Sequence, residues 1–178
     1  MSSSPEFTIP ARDLDAGGRH FRFPIRASWL RGALEGTDVR PSETDGELDV
    51  RASRSATDVV VVGSVAAELV LPCARCLEPA RVHVREGVSV LAVQNPSQHG
   101  TAGADEEASV DGAELLSFDG ETVVLDDLVR DELLLGVPMI PLCSEGCAGI
   151  RPERAGDAPA GTPLDARLLP LLGLRQKT

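Results

Sequence analysis

Tyrosine is absent from this sequence, and the other aromatics are scarce: one Trp, four Phe, 3% of 178 residues. That weakens any nucleic-acid reading that relies on stacking bases on aromatic rings. Lysine is almost absent too, since all but one of the seventeen basic residues are Arg. No run approaches the 18 or so apolar residues of a membrane span. The first residues, Met1-Ser-Ser-Ser-Pro5, lack the charge and apolar stretch of a secretory leader, so the expected compartment is the cytoplasm. Only four cysteines occur, and in a reducing compartment grouped cysteines point to metal ligation or free thiols before disulfides.

What the chain does have is acid, and it is concentrated. Net charge is −11, and residues 105–132 alone carry eleven acids against one base, Arg130. Residues 1–104 sum to −2 and residues 133–178 to +1. The body is nearly neutral with one acidic segment, which attracts a basic partner and repels a phosphate backbone. Asp105, Glu106, Glu107, Asp126 and Asp127 are the candidate partner-binding residues. The plainer reading is a solvated face that maintains solubility.

The middle of the chain alternates with period 2. Val59, Val61, Val65, Ala67, Leu69 and Leu71 share one face; Val82, Val84, Val88, Val90 and Ala92 share another, with Arg81, His83, Arg85 and Ser89 opposite. This predicts antiparallel strands over about 59–71 and 81–93, with further strands at 19–25, 46–52 and 122–125. Two short helices are predicted. One covers 28–35, with Ser28 as N-cap, Leu30 and Leu34 on one face, and Gly36 as its stop. The other covers 126–135, with Asp126 as cap and Gly136 and Pro138 as stops. The stretch from about 94 to 120 reads as an acidic, flexible loop. Residues 151–178 read as a Pro/Gly-rich tail with a short apolar segment at 163–174, beyond a single domain over 1–150. The fold class is α+β: an antiparallel sheet, a few short helices, and a C-terminal loop tied to a β-hairpin knuckle by cysteines.

The cysteines form two pairs, Cys73-Ala-Arg-Cys76 and Cys143-Ser-Glu-Gly-Cys147. Each short pair can chelate from one loop, and together they supply the four thiolates of a closed, structural zinc site. Cys73 and Cys76 fall between two strands, the position of a zinc knuckle. Free thiols, or a redox pair, are the alternatives. A redox pair needs a thiol well below the ordinary value of about 8.5 and usually a helix N-terminus to lower it. Arg75 inside the motif reads as an exposed turn residue that could offset thiolate charge. No other pattern suggests catalysis. His20, His83 and His99 lie in unrelated segments, Gly17-Gly18 forms no phosphate loop, and Asp126, Asp127, Asp131 and Glu132 read as a helix first turn and wet face before a magnesium cluster. No enzyme is expected.

Several blocks occur in one order: Cys73-Ala-Arg-Cys76-Leu-Glu-Pro79, Leu125–Leu135, Val137-Pro-Met-Ile-Pro-Leu-Cys143, Cys147-Ala-Gly149 and Asp165-Ala-Arg-Leu168. This run resembles the YceD family of bacterial large ribosomal RNA subunit accumulation proteins. The resemblance departs at Arg151-Pro-Glu-Arg154, where many members carry a further pair of cysteines. It implies a non-enzymatic factor for accumulation of 23S ribosomal RNA, acting in ribosome assembly on a ribosomal protein or large-subunit precursor. With the charge distribution, it favours an acidic surface binding a basic ribosomal protein. The competing readings are direct RNA binding through Arg75, Arg81 and Arg85, and a thiol redox protein. Neither a membrane partner nor a small-molecule substrate is expected.

Overall fold

A computed structural model describes residues 5–94 and 114–150. Contacts divide the chain after Cys147, and of the second unit, Ala148–Thr178, only the first three residues are described. The expected tail at 151–178 and the apolar stretch at 163–174 therefore lie outside the described residues, as does most of the expected acidic loop.

The first unit opens with β1 (Thr8–Pro10), a 3-10 turn (Ala11–Asp13) and β2 (Arg19–Ile25). Helix α1 (Ala27–Ala33) and the two-residue β3 (Arg40–Pro41) follow, then β4 (Gly46–Ser55), β5 (Asp58–Pro72) and β6 (Pro79–Val93). After β6 come β7 (Glu114–Ser117), β8 (Thr122–Val124) and α2 (Asp126–Leu135). Strands β2, β4, β5, β6 and β7 line up in that order as one sheet, with β3 beside β5 past the end of β4. A second, two-stranded sheet joins β1 to β8 antiparallel.

Alternation sets which face is dry. Val59, Val61, Val65 and Leu69 of β5 are fully buried, as are Leu48, Val50 and Ala52 of β4. Val84, Val88, Val90 and Ala92 continue that face on β6. The apolar face is covered by Leu30 and Leu34 of α1, by Leu128, Val129 and Leu133 of α2, and by Phe7 and Ile9 near the start, all in one core. Each of the larger side chains removes enough apolar surface to contribute about 1.5–3 kcal/mol. Gly63 interrupts the valine series on β5 because a Cβ there would lie 2.1 Å from the Asp49 carbonyl oxygen and 2.6 Å from the Val50 Cα.

Three expectations need correction. The large sheet is mixed: β7 pairs parallel to β6, Val90 opposite Glu114 through Val93 opposite Ser117. A parallel neighbour requires a crossover of a dozen or more residues, which the stretch between Val93 and Glu114 supplies. Strand β7 also occupies part of the 94–120 stretch read as loop. Second, Ser28 does not cap α1, which begins at Ala27 without a side-chain cap; the Ala27 N–H instead donates to Asp45 Oδ1 at 3.2 Å. Third, Leu125 occupies the N-cap of α2, and Asp126 is its first helical residue. Gly36, with φ +86°, follows α1 in the left-handed conformation expected of a stop.

Candidate metal centre

Strands β5 and β6 pair along their whole length, out to Pro72 opposite Pro79. The six residues between those prolines hold the first cysteine pair. Cys73 N–H donates to the Glu78 carbonyl at 2.8 Å, and Leu77 N–H to the Cys73 carbonyl at 3.0 Å, so the turn closes on itself. Leu77 takes φ +66° to do so, a left-handed conformation that costs a side-chain-bearing residue roughly 1–2 kcal/mol. Its side chain is 67% exposed.

The second pair arrives from the far end of the unit. After α2 the chain runs through Val137 to Leu142, and Ala74 N–H donates to the Pro141 carbonyl at 2.8 Å. That bond lays the approach to Cys143 against the first turn. Cys147 N–H donates to the Ser144 carbonyl at 3.1 Å, forming a tight loop between the second pair. Leu135, Met139 and Ile140 stand exposed along this approach, an apolar strip that period-based reading does not single out.

All four sulfurs lie within 4.8 Å of one another. Cys76 and Cys143 Sγ are 3.6 Å apart, and Cys73 and Cys147 Sγ 3.9 Å. Both separations far exceed a disulfide of about 2.05 Å. They match the edge of roughly 3.8 Å that a regular tetrahedron has when each sulfur is 2.3 Å from a central zinc. The Arg75 N–H points at Cys73 Sγ at 3.5 Å, and the Arg75 guanidinium donates to the Cys147 carbonyl at 3.1 Å, binding one cysteine loop to the other.

Crowding divides the thiols electrostatically. The Arg75 N–H foremost, with the Cys143 and Cys76 N–H groups, favours the Cys73 thiolate and lowers its pKa to about 6. At Cys76 the Glu78 N–H favours the thiolate, but burial and the other three sulfurs outweigh it and push the pKa up to about 12. Cys143 is raised as well, chiefly by Cys147. A cluster that resists full ionisation by itself is one that a dication would complete, because metal binding replaces the protons of its ligands. The lowered Cys73 thiol meets one requirement of the redox alternative, but Cys73 is fully buried and lies in the turn between β5 and β6, not at a helix N-terminus.

The other predicted residues do not converge here. Asp105, Glu106 and Glu107 lie outside the described residues. Asp127 is exposed, but the Asp126 carboxylate accepts from the Glu6 N–H at 2.9 Å, the Phe7 N–H at 3.0 Å and the Trp29 indole N–H at 3.2 Å. Asp126 is thus an internal fastener of the N-terminal segment, a role sequence reading missed because its partners are about a hundred residues away. Arg81 and Arg85 are exposed on β6, as alternation predicts, and Arg81 lies 3.6 Å from Glu68.

The fold and site define an α+β protein with one mixed sheet and a four-cysteine cluster joining a β-hairpin turn to the segment after α2. The chain belongs to the YceD family, described as large ribosomal RNA subunit accumulation protein YceD, which matches residues 61–174. That span includes both cysteine pairs. An uncharacterized protein of Mycobacterium tuberculosis and one of Mycobacterium bovis are each 33% identical over 107 residues, 60% of this chain and 48% of the relative. An uncharacterized protein of Mycobacterium leprae is 31% identical over 106 residues, 60% of this chain and 46% of its own. The chain thus spans about half the length of the curated relatives it matches. No solved structure matches it significantly. Among the described residues, no helix is long and apolar enough to cross a membrane.

Proposed function

We propose that the chain is a cytoplasmic, non-enzymatic factor supporting accumulation of 23S ribosomal RNA during large-subunit assembly. The family match over 61–174, spanning both cysteine pairs, carries this reading. Cys73, Cys76, Cys143 and Cys147 would hold one structural zinc in a closed knuckle, since the sulfur separations suit a tetrahedron and four thiolates leave no open position for chemistry. Zinc supplies no reaction there; it fixes the turn between β5 and β6 to the loop after α2. Full burial of Cys73 supports ligation over attack on a substrate disulfide.

The acidic segment would contact a basic ribosomal protein. Asp127, exposed and without a hydrogen-bond or ion-pair partner among the described residues, remains available for it, together with Asp105, Glu106 and Glu107. Asp126 does not, because its carboxylate is committed internally. The test is repression of the encoding gene, with the ratio of 23S to 16S RNA measured before growth slows. A selective fall in 23S, restored by the wild-type chain, is expected. An unchanged ratio would sink the assignment. Neutralising Asp105, Glu106, Glu107 and Asp127 to Asn or Gln should release the protein partner at moderate salt. Substitution is the right tool, because a deletion reaching residue 117 would remove β7 from the sheet.

A further inference from the structure

The wet face of the large sheet carries a charge opposite to that of the chain. Paired residues of antiparallel strands share a face, so the registers place Arg22, Arg40, Arg51, Arg81 and Arg85 on the side away from the core. Four carboxylates share it: Glu47, Asp49, Glu68 and, at the start of β5, Asp58, which accepts from the Thr57 hydroxyl at 3.2 Å. With histidine neutral, this face is +1 in a protein of −11.

The acids on it are occupied. Arg22 pairs with both Glu47 at 2.9 Å and Asp49 at 2.8 Å, and His20 also reaches Asp49 at 2.8 Å. Glu68 accepts from Ser42 at 2.8 Å and Thr44 at 3.1 Å, with Arg81 3.6 Å away. Arg40, Arg51 and Arg85 are all exposed, and among the described residues none of them has an ion-pair partner. Arg51 donates to the Gly17 carbonyl, which anchors its guanidinium without neutralising it.

Position then decides what the three could hold. Arg51 and Arg85 each lie across β5 and four residues along from one another, as do Arg85 and Arg40, which puts each pair roughly 17 Å apart from strand spacing and rise. Arg40 and Arg51 are eight β5 residues apart, roughly 27 Å. That is too wide for a nucleotide or a single phosphate. Between Arg51 and Arg85 the surface is low, with Ser64, Ala66 and Gly87, so an extended backbone can lie close there, while Glu68 and His83 stand between Arg85 and Arg40. No aromatic residue is on this part of the face to stack a base, which favours phosphates of a duplex over unpaired bases.

We infer that the outward face of the sheet binds the phosphate backbone of structured RNA through Arg40, Arg51 and Arg85. This rests on the ribosomal reading above for its choice of RNA among polyanions. It also departs from the sequence-based set, since Arg81 is engaged by Glu68 and Arg75 by Cys147.

The test is fluorescence anisotropy of the full chain with a labelled RNA duplex taken from a 23S helix, in 50 to 200 mM KCl. Three phosphate contacts predict an affinity loss of roughly 20- to 40-fold over that range. Arg40→Gln and Arg85→Gln should each lower the logarithmic salt slope by about 0.7–0.9, and the triple variant with Arg51→Gln should remove most binding. Arg12→Gln, which lies on the 3-10 turn beside Asp13 and off this face, should leave the slope unchanged. Since the Arg40 and Arg85 side chains make no hydrogen bond among the described residues, their variants stay interpretable even if Arg51→Gln destabilises. No duplex binding at 50 mM, wild-type slopes in the single variants, or equal displacement by polyglutamate, which would mark a protein-binding face, each overturns the inference. An unchanged 23S ratio in the repression experiment would instead overturn the ribosomal reading while leaving the RNA titration to stand by itself.

Discussion

The indole N–H of Trp29 donates to Asp126 Oδ1 at 3.2 Å, joining the first helix to the start of the second across 97 residues. The same carboxylate takes the backbone N–H groups of Glu6 and Phe7, and the Phe7 ring packs edge-on to Trp29 with centroids 4.7 Å apart. Replacing Asp126 by Ala should cost about 2–3 kcal/mol, because part-buried donors lose a charged acceptor. Trp29 is the sole tryptophan, so its emission reports the event directly. Thermal unfolding followed at that wavelength should show a lower midpoint and a red-shifted native spectrum. Asp127→Ala, one residue on and exposed, should change neither.

Zinc content gives a second check. The wild-type chain should bind one zinc per molecule by elemental analysis, and Cys143→Ser or Cys76→Ser should lose it. Far-UV circular dichroism should barely change, because apart from Cys73 the cysteines lie outside the buried core of the sheet. The segment from Val137 to Cys147 should become the new site of proteolytic cleavage. An uncleaved, metal-free variant would show that the hydrogen bond from Ala74 to Pro141 suffices to hold the loop.

Gly63→Ala should be among the most damaging single changes in the sheet. The new methyl would meet the backbone of β4 at 2.1 Å, and backbone cannot step aside as a flexible side chain can. Overpacking of this kind costs at least about 1–3 kcal/mol. Gly87→Ala, with nothing within 4 Å, is the matched control. Urea titration of the two variants should separate them clearly.

Glu68 ties stability to pH. Its hydrogen bonds from Ser42, and next from Thr44, hold its pKa below the ordinary carboxylate value. A group depressed in the folded state adds stability above its unfolded pKa of about 4.3 and loses it as pH falls through the lower folded value. Glu68→Gln should therefore lower stability at pH 7, and the gap from wild type should close below about pH 4. A constant gap from pH 7 to pH 3 would mean that shape, not charge, makes the contribution.

Much of this architecture was legible because long strands with one dry face repeat a simple period. Strands β4, β5 and β6, and the buried pair Leu30 and Leu34, follow directly from it. The four cysteines were legible by grouping, since no other residue competes for the same chemistry. What could not be read is whatever depends on distant partners. Strand β7 is four residues long and joins in parallel, so neither length nor a hairpin turn announces it. Asp126 looks like any acid in a first helical turn until the chain folds Glu6, Phe7 and Trp29 onto it. Arg81 and Arg85 alternate identically in sequence, yet only Arg81 finds Glu68 beside it.

The length of β6 has a consequence for how many partners the molecule can serve at one time. Its fifteen residues extend up to about 50 Å, with the cysteine turn at one end and the exit toward the acidic segment at the other. A compact protein of 100 residues, with a radius of gyration of about 13 Å, is only about 33 Å across. No small globular protein can grip both ends together. The strand would act as a spacer: a partner proposed for the cysteine turn would be a different body, or a different reach of an extended one, from a partner proposed for the acidic segment.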